Sequence, residues 1–167
     1  MKYVSAITAY VLVTILAVGC SSTSEPEAQE FVATASSFAN FTSWSAVGDP
    51  LTGPDPAGLL GEAHDGNMSD VVRRIYVSSA AATRGSNGQY PIGTMFVKDT
   101  RGTDGSQRMI TAMAKRGNSF NGNGRDWEWF VLNADGTIVD RGAGLMGNMC
   151  NACHSGATAK DFVFVKD

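Results

Sequence analysis

The sequence predicts a mainly β (α+β) fold, in which short helices flank an antiparallel β-sheet. Three observations support this prediction. Glycine accounts for 19 of the 167 residues, and this bias favours turns and short strands over long packed helices. Several short runs are rich in β-branched and aromatic residues, without the helices of parallel βαβ units between them. Residues 133–136 carry a turn signal between two such runs, which indicates a hairpin.

The composition indicates one globular domain. The chain of 167 residues is 43% hydrophobic and 17% charged, with a formal net charge of −3. Its length suits a single domain that is large enough to bury a hydrophobic core. The composition excludes the disordered class and a strongly basic surface. We therefore expect no nucleic-acid partner.

The N-terminus has the pattern of an export signal. Lys2 precedes an uncharged apolar run at 4–18, which is shorter than the roughly 20 residues that a membrane-spanning helix needs. Residues 16–20 resemble a bacterial lipobox, in which Cys20 is lipidated and becomes the mature N-terminus. We therefore expect a signal peptide at 1–19 and an exported, periplasmic protein that contacts the membrane by its lipid anchor only. An ordinary secretory signal with a coincidental cysteine is the alternative.

The stretch after the signal connects the anchor to the domain. We expect residues 20–40 to form a lipidated tether and the start of an N-terminal helix, and residues 41–167 to form the folded domain. Apolar residues recur at helical spacing at Phe31, Ala35 and Phe38, which predicts an amphipathic helix.

The other elements follow from the pattern along the chain. The N-terminal helix is expected over 27–44, and a long loop over 49–67, which is rich in Gly, Pro and Asp. Strands are predicted at 71–78, 93–99, 108–115, 127–132, 137–139 and 162–165. Residues 143–153 lack β-branched side chains, which indicates a short helix.

Cys150, Cys153 and His154 form a Cys-x-x-Cys-His element, the attachment signature of c-type haem. Two thiols at this spacing reach the two vinyl groups of one porphyrin, and the adjacent imidazole becomes an axial iron ligand. The sequence therefore predicts a C-terminal haem c attachment segment that binds one haem per chain. A structural disulfide, a thioredoxin-like redox pair and half of a zinc site are the alternatives. The redox pair would normally follow a strand in a βαβ unit, and zinc would need two further ligands.

The group on the far side of the haem decides between electron transfer and chemistry on a small ligand. An electron carrier needs a strong sixth iron ligand, usually methionine or histidine. The side chains considered for this position are His64, Met95, Met109, Met113 and Met146. Core packing is the alternative role of each methionine.

Several stretches together resemble the cytochrome P-460 family, which includes the beta-type cytochromes c prime. The matching stretches, in order, are 73–77, 90–99, 126–131 and 150–154 with 161–164. The resemblance covers roughly residues 40 to 167. Members of this family combine an extracytoplasmic β-rich domain with a late Cys-x-x-Cys-His element, and their relatives form homodimers. The resemblance therefore implies a homodimer here.

The resemblance also implies roles for individual residues. Lys98 matches the lysine that is joined covalently to the haem edge, and Asp99 stands where glutamate is more common. Arg73 matches an arginine near the haem pocket. Thr111 lies near the place of a distal carboxylate, and threonine cannot act as a general base near neutral pH. Strand alternation puts Phe96 on the same face as Lys98, so we expect both beside the haem.

These expectations lead to a function on small nitrogen species. The first hypothesis is hydroxylamine oxidation at a haem linked to Lys98, with electrons passed to a soluble redox partner. Lys98, Arg73 and Thr111 are then the catalytic candidates, and Cys150, Cys153, His154, Lys98 and Phe96 the cofactor-binding residues. The alternatives are a five-coordinate haem protein that binds nitric oxide, and a simple electron carrier.

Overall fold

The computed structural model describes residues 30–56, 58, 60–61 and 63–164. The signal peptide, Cys20 and the tether up to residue 29 lie outside the described residues, as does the end of the predicted last strand from residue 165. The described part is a seven-stranded antiparallel sheet with two short α-helices. The predicted mainly β (α+β) fold is confirmed.

The strands lie in the order β1-β3-β4-β5-β6-β7, and β2 also pairs with β3. Their bounds are Ser45–Ala46 (β1), Leu51–Thr52 (β2), Val71–Val77 (β3), Met95–Gly102 (β4), Gln107–Lys115 (β5), Trp127–Leu132 (β6) and Ile138–Gly142 (β7). Strands β3 to β6 and the β6–β7 hairpin correspond to predicted runs, because each is long enough for its strand pattern to be recognised in the sequence. The sequence does not predict β1 and β2, since two residues are too few to show alternation.

The N-terminal helix predicted over 27–44 is wrong in extent. Among the described residues, the α-helix (α1) covers Ala35–Phe38, and a 3₁₀-helix at Phe41–Ser43 follows it. Phe38 and Phe41 pack against one face of the sheet, whereas Ala35, which belongs to the spacing behind the prediction, is exposed. The apolar spacing therefore does not mark one buried helical face. The segment thus follows the sheet surface in short turns.

The C-terminal part also differs from the prediction. The helix expected over 143–153 is a helix (α2) at Met149–His154 that follows a series of turns. No strand forms over 162–164, the described part of the predicted last strand. Asp161 and Phe162 have φ angles of 54° and 66°, a left-handed conformation that extended strands do not contain. The chain turns here after the 3₁₀-helix Ser155–Lys160.

The two faces of the sheet carry separate hydrophobic clusters. Val97, Ile110 and Phe130 lie on the face covered by the N-terminal segment. Side chains on the other face pack against the C-terminal segment that contains α2; they include Val77, Phe96, Met113 and Trp129, with Leu145, Phe162 and Val163 opposite them. The N-terminal segment and the motif-bearing segment are therefore separated by the sheet.

In the part of the chain that the structure describes, no helix combines the length and apolar character needed to cross a bilayer.

Candidate functional site

A cavity of about 320 Å³ lies between the sheet and the C-terminal segment. Its walls are mainly apolar, formed by side chains that include Ile75, Phe96, Met113, Trp129, Leu145 and Val163. The side chains with polar or reactive groups that line it are His64, Lys98, Thr111, Cys150, Cys153 and His154. The cavity thus collects the sequence motif and most of the predicted site residues.

One row of cross-strand neighbours forms the floor of this cavity. Ile75 on β3 pairs with Lys98 on β4, Lys98 with Thr111 on β5, and Thr111 with Val131 on β6. Directly opposed residues of antiparallel strands point to the same face. Lys98 and Thr111 are therefore neighbours on the cavity face, although they are distant in sequence.

The alternation predicted for β4 is confirmed. Phe96 and Lys98 line the cavity, whereas the side chains of Met95 and Val97 belong to the cluster on the opposite face. Val97 also contributes to the lining of the cavity. The neighbouring Asp99 is buried and accepts a hydrogen bond from Arg101 Nε at 2.8 Å.

Both motif cysteines are placed by α2. Cys150 and Cys153 are free thiols, each half-buried at the cavity wall. Residues three apart in a helix share a face, so one turn of α2 presents both sulfurs to the same space. Burial raises the pKa of the Cys150 thiol. This thiol is accordingly held in its neutral form.

Asn151, between the two cysteines, anchors α2 to the sheet. Its Oδ1 accepts hydrogen bonds from Asn121 Nδ2 at 2.9 Å and from Trp129 Nε1 at 2.7 Å. Its Nδ2 donates to the Ala143 carbonyl at 2.9 Å and to Asn148 Oδ1 at 2.7 Å. The sequence analysis missed this residue, since a variable position of the motif shows no sign of its partners.

His154 is oriented by a backbone contact. Its Nδ1 lies 2.7 Å from the Phe162 carbonyl oxygen, and because a carbonyl can only accept, Nδ1 carries the proton. The Trp129 ring lies 4.6 Å away, centroid to centroid. Burial lowers the pKa of His154, although the Phe162 contact acts in the opposite direction. A neutral imidazole with a free Nε2 is the form that binds a metal.

Lys98 places a half-buried amine in the cavity. Burial lowers its pKa from 10.5 to about 8, and Arg73 contributes to this decrease. Asp55 and Cys153 act in the opposite direction. Lys98 and Cys153 line the same cavity.

His64 reaches the same cavity from the 3₁₀-helix Ala63–Asp65, which precedes β3. Its Nδ1 lies 3.1 Å from Thr111 Oγ1, a hydrogen-bond distance. Burial lowers the pKa of His64 from 6.5 to about 3, and Lys98, His154 and Arg73 act in the same direction. The imidazole is therefore neutral near neutral pH.

The methionines considered as iron ligands divide between the two faces. Met109, Met113 and Met146 line the cavity. Met95 packs with the cluster on the other face of the sheet, because residues one apart on a strand alternate in direction. It therefore cannot reach a group in the cavity.

Arg73 is almost fully buried, with 1% of its surface exposed. It donates hydrogen bonds from Nη1 to the Asp65 carbonyl at 3.0 Å and from Nη2 to the Gly53 carbonyl. These two carbonyls lie at the two ends of the segment that carries His64. Arg73 thus connects this segment to β3 and lowers the pKa of both Lys98 and His64.

The donor set and the cavity fit a haem. Two free thiols on one helical turn, a neutral imidazole with a free Nε2 and apolar walls are what covalent attachment and axial ligation require. The alternatives fit less well: the thiols are not joined in a disulfide, and the sheet is antiparallel without a βαβ unit. Within the described residues, no group of three or more His, Cys, Asp or Glu side chains is arranged to hold a metal ion.

Comparison with known proteins gives a family assignment. The family model described as cytochrome P-460 matches residues 39–165, which is most of the chain and includes every cavity residue named above. Searches of curated proteins and of solved structures found no match. The family match agrees with the fold and with the donor set of the cavity. The chain belongs to the cytochrome P-460 family and is a haem-binding cytochrome.

Proposed function

We propose that this chain is an exported c-type cytochrome with one covalently attached haem, and that it oxidises hydroxylamine. The observation that carries this proposal is the amine of Lys98, which lies in the same cavity as Cys153 and His154. A lysine in an apolar haem cavity is costly to bury. Its presence there supports a role for the amine at the cofactor.

The motif residues would hold the cofactor. Cys150 and Cys153 would form thioether bonds to the porphyrin, and His154 would bind the iron through Nε2, since Nδ1 donates to the Phe162 carbonyl. When bound, the haem supplies an iron that accepts electrons from a small nitrogen substrate and passes them to a soluble redox partner.

Lys98 is suited to the cross-link that the family resemblance implies. A bond from the amine to a porphyrin carbon would replace a C–H bond and release two protons and two electrons, so it would need an added oxidant of the peroxide class as well as a neutral amine. With a pKa of about 8, roughly one amine in ten is neutral at pH 7. An ordinary lysine would be neutral in fewer than about one molecule in a thousand at this pH. The burial of Lys98 therefore raises the reactive fraction at least about a hundredfold.

Nitric oxide binding is the second candidate function, and the lining of the cavity favours it. Among the described lining residues, none is Asp or Glu, so the carboxylate that assists proton removal in hydroxylamine-oxidising members has no counterpart there. Thr111 lies near its place, paired with Lys98. Apolar walls, with Phe96 beside Lys98, suit a small uncharged ligand.

Surface features support a redox partner. Met146 and Met149 are 51% and 57% exposed, and both line the cavity that would hold the haem. Exposed apolar side chains at a cofactor edge suit a transient contact with another protein. Export, the lipid anchor at Cys20 and a homodimer complete the proposal; the first two rest on the N-terminal sequence and the third on the family resemblance.

Two measurements on the same purified protein test this function. The absorption spectrum of the ferrous protein should show a red-shifted Soret band if Lys98 is linked to the haem, and the protein should oxidise hydroxylamine. Lys98→Ala and the charge-retaining Lys98→Arg should both lose the shifted band. An ordinary high-spin spectrum, a free Lys98 amine by peptide mass spectrometry and no hydroxylamine oxidation would replace this proposal with nitric oxide binding. A sharp low-spin spectrum would instead indicate an electron carrier.

A further inference from the structure

We propose that His64 is the distal hydrogen-bond donor of the haem cavity, and that its Nε2 contacts a small ligand bound at the iron. The inference rests on the proposed function only in requiring a haem in the cavity. His64 lines this cavity together with His154 but comes from a different part of the chain. His154 belongs to α2, whereas His64 belongs to the segment between β2 and β3. The two imidazoles of the cavity therefore come from separate parts of the fold.

The contact with Thr111 determines which ring nitrogen of His64 remains for a ligand. His64 Nδ1 lies 3.1 Å from Thr111 Oγ1, so Nε2 is the ring nitrogen left for a ligand. If the Thr111 hydroxyl donates to Nδ1, the single proton of the neutral ring is on Nε2. Thr111 is itself fixed in β5 by its pairing with Lys98 and Val131. It is a positioning residue that acts through His64.

The backbone around His64 is held in one arrangement. His64 has φ 51° and ψ 36°, a left-handed conformation that is uncommon for residues other than glycine and concentrates at functional sites. Arg73 binds the carbonyls of Gly53 and Asp65 on either side of this segment. Asp55 Oδ2 accepts a hydrogen bond from the Leu60 amide at 3.0 Å within it. These contacts offset the cost of the conformation and fix where the imidazole points.

Hydrogen-bond donors in a distal pocket influence whether a haem binds its ligand or activates it. The other polar side chains that line this cavity have different proposed roles: Cys150, Cys153 and His154 would hold the cofactor, and Lys98 is the candidate for the cross-link. An uncharged N–H from His64 would donate a hydrogen bond to the oxygen of a bound diatomic ligand or of hydroxylamine without adding a charge to the cavity. His64 with Thr111 then supplies a hydrogen-bond donor to the ligand, which differs from the proton acceptor that a carboxylate would provide.

Carbon monoxide is the probe for this contact, because it binds ferrous haem with an open coordination position and needs no turnover. A hydrogen bond to bound carbon monoxide lowers its stretching frequency and slows its dissociation. We expect His64→Leu to raise the infrared stretching frequency and to speed dissociation about 2- to 10-fold, the range for one neutral hydrogen bond. Thr111→Val should shift both values in the same direction, and Thr111→Ser should restore them. Met95→Leu, on the opposite face of the sheet, should change neither.

The outcomes separate this inference from the proposed activity. A wild type that fails to oxidise hydroxylamine but shows the carbon monoxide shifts supports the role of His64 and argues against the proposed reaction. Equal stretching frequencies in wild type and His64→Leu, at equal haem content, would overturn the inference. A six-coordinate low-spin ferrous spectrum that becomes five-coordinate in His64→Leu would also overturn it, since His64 would then be an iron ligand.

Discussion

Trp129 Nε1 donates a hydrogen bond to Asn151 Oδ1 at 2.7 Å, which connects strand β6 to the helix that carries both cysteines. Asn121 reinforces the contact, since its Nδ2 donates to the same oxygen at 2.9 Å. The Trp129 ring also lies against His154. The Trp129 indole therefore positions both Asn151, which lies between the two cysteines, and His154, the expected iron ligand. The motif is preorganised by residues outside the Cys-x-x-Cys-His pattern.

Replacing Asn151 should disturb the site through stability. Asn151→Ala leaves the buried donors of Asn121 and Trp129 without their shared acceptor, so we expect the free energy of unfolding to fall by about 2–4 kcal/mol. The yield of haem-loaded protein should fall with it. Chemical denaturation and the haem absorbance per mole of chain measure the two effects. Ala152→Asn, at the exposed neighbouring position of the motif, is the control and should change neither.

The cysteine pair should be required for covalent haem. In protein made with a c-type maturation system, we expect haem to remain on the chain in denaturing gels. Cys150→Ala together with Cys153→Ala should abolish this retention, because no other described cysteine lines the cavity. Haem that stays on the double variant after denaturation would rule out attachment through these thiols.

Cys20 should carry the lipid anchor. We expect mass spectrometry of the mature protein to show a diacylglyceryl-modified Cys20 as the first residue, because Gly19 and Cys20 end the apolar run of the signal. An unmodified N-terminus at another small residue would leave an ordinary secretory signal. Cys20→Ser should then have no effect on membrane association.

The buried ion pair of Lys115 and Asp161 should be critical for the C-terminal segment. Lys115 Nζ lies 2.9 Å from both carboxylate oxygens, with 3% and 0% of the two side chains exposed. Asp161 immediately precedes Phe162, whose carbonyl holds His154. Lys115→Met leaves a buried carboxylate unpaired, so we expect a loss of about 3–5 kcal/mol in the free energy of unfolding.

A solvent-exposed ion pair provides the comparison for Lys115. Arg108 and Asp70 are 37% and 50% exposed and 2.7 Å apart. Arg108→Met should cost at most about 1 kcal/mol, since exposed pairs contribute little. Equal losses for Arg108→Met and Lys115→Met in urea denaturation would show that burial does not decide the importance of the Lys115 pair.

The central strands and the motif could be predicted because their information is local. Alternation along β4 places Phe96 and Lys98 on one face from sequence alone, and the spacing of Cys150 and Cys153 is itself the haem signature. The family resemblance added Lys98 as a site residue. These predictions depend on residues within a few positions of one another.

The remaining contacts join residues that are distant in sequence, and no local pattern reports them. His64 meets Thr111 across 47 positions, and Asn121 meets Asn151 across 30. The sequence predicts the segment around His64 only as part of a loop, because a high content of Gly and Pro does not indicate where the His64 side chain points. Likewise, the apolar spacing of Phe31, Ala35 and Phe38 predicts one helix, but Phe38 is buried, Phe31 half-buried and Ala35 exposed. The spacing therefore does not mark one buried helical face.

The last prediction concerns the charge of Lys98 and its effect on stability. In the folded chain, burial lowers the Lys98 pKa from 10.5 to about 8. Below pH 8 the amine is protonated in both the folded and the unfolded states, so the folded chain bears the full cost of a charged amine in the cavity. Between about pH 8 and 10.5 the unfolded state binds more protons than the folded state. The free energy of unfolding should therefore rise with pH in this interval.

The slope from Lys98 should approach 1.4 kcal/mol per pH unit, for a total of about 2–3 kcal/mol by pH 10.5. Other groups titrate in the same interval, so the measurement is the difference between wild type and Lys98→Met in urea denaturation without bound haem. Lys98→Met has no titrating amine but retains a side chain of similar length, and wild type should gain stability relative to it as pH rises. A constant difference from pH 7 to 10.5 would mean that the amine keeps an ordinary pKa. Burial would then not be what activates Lys98, and the chemical argument for its bond to the porphyrin would fail with it.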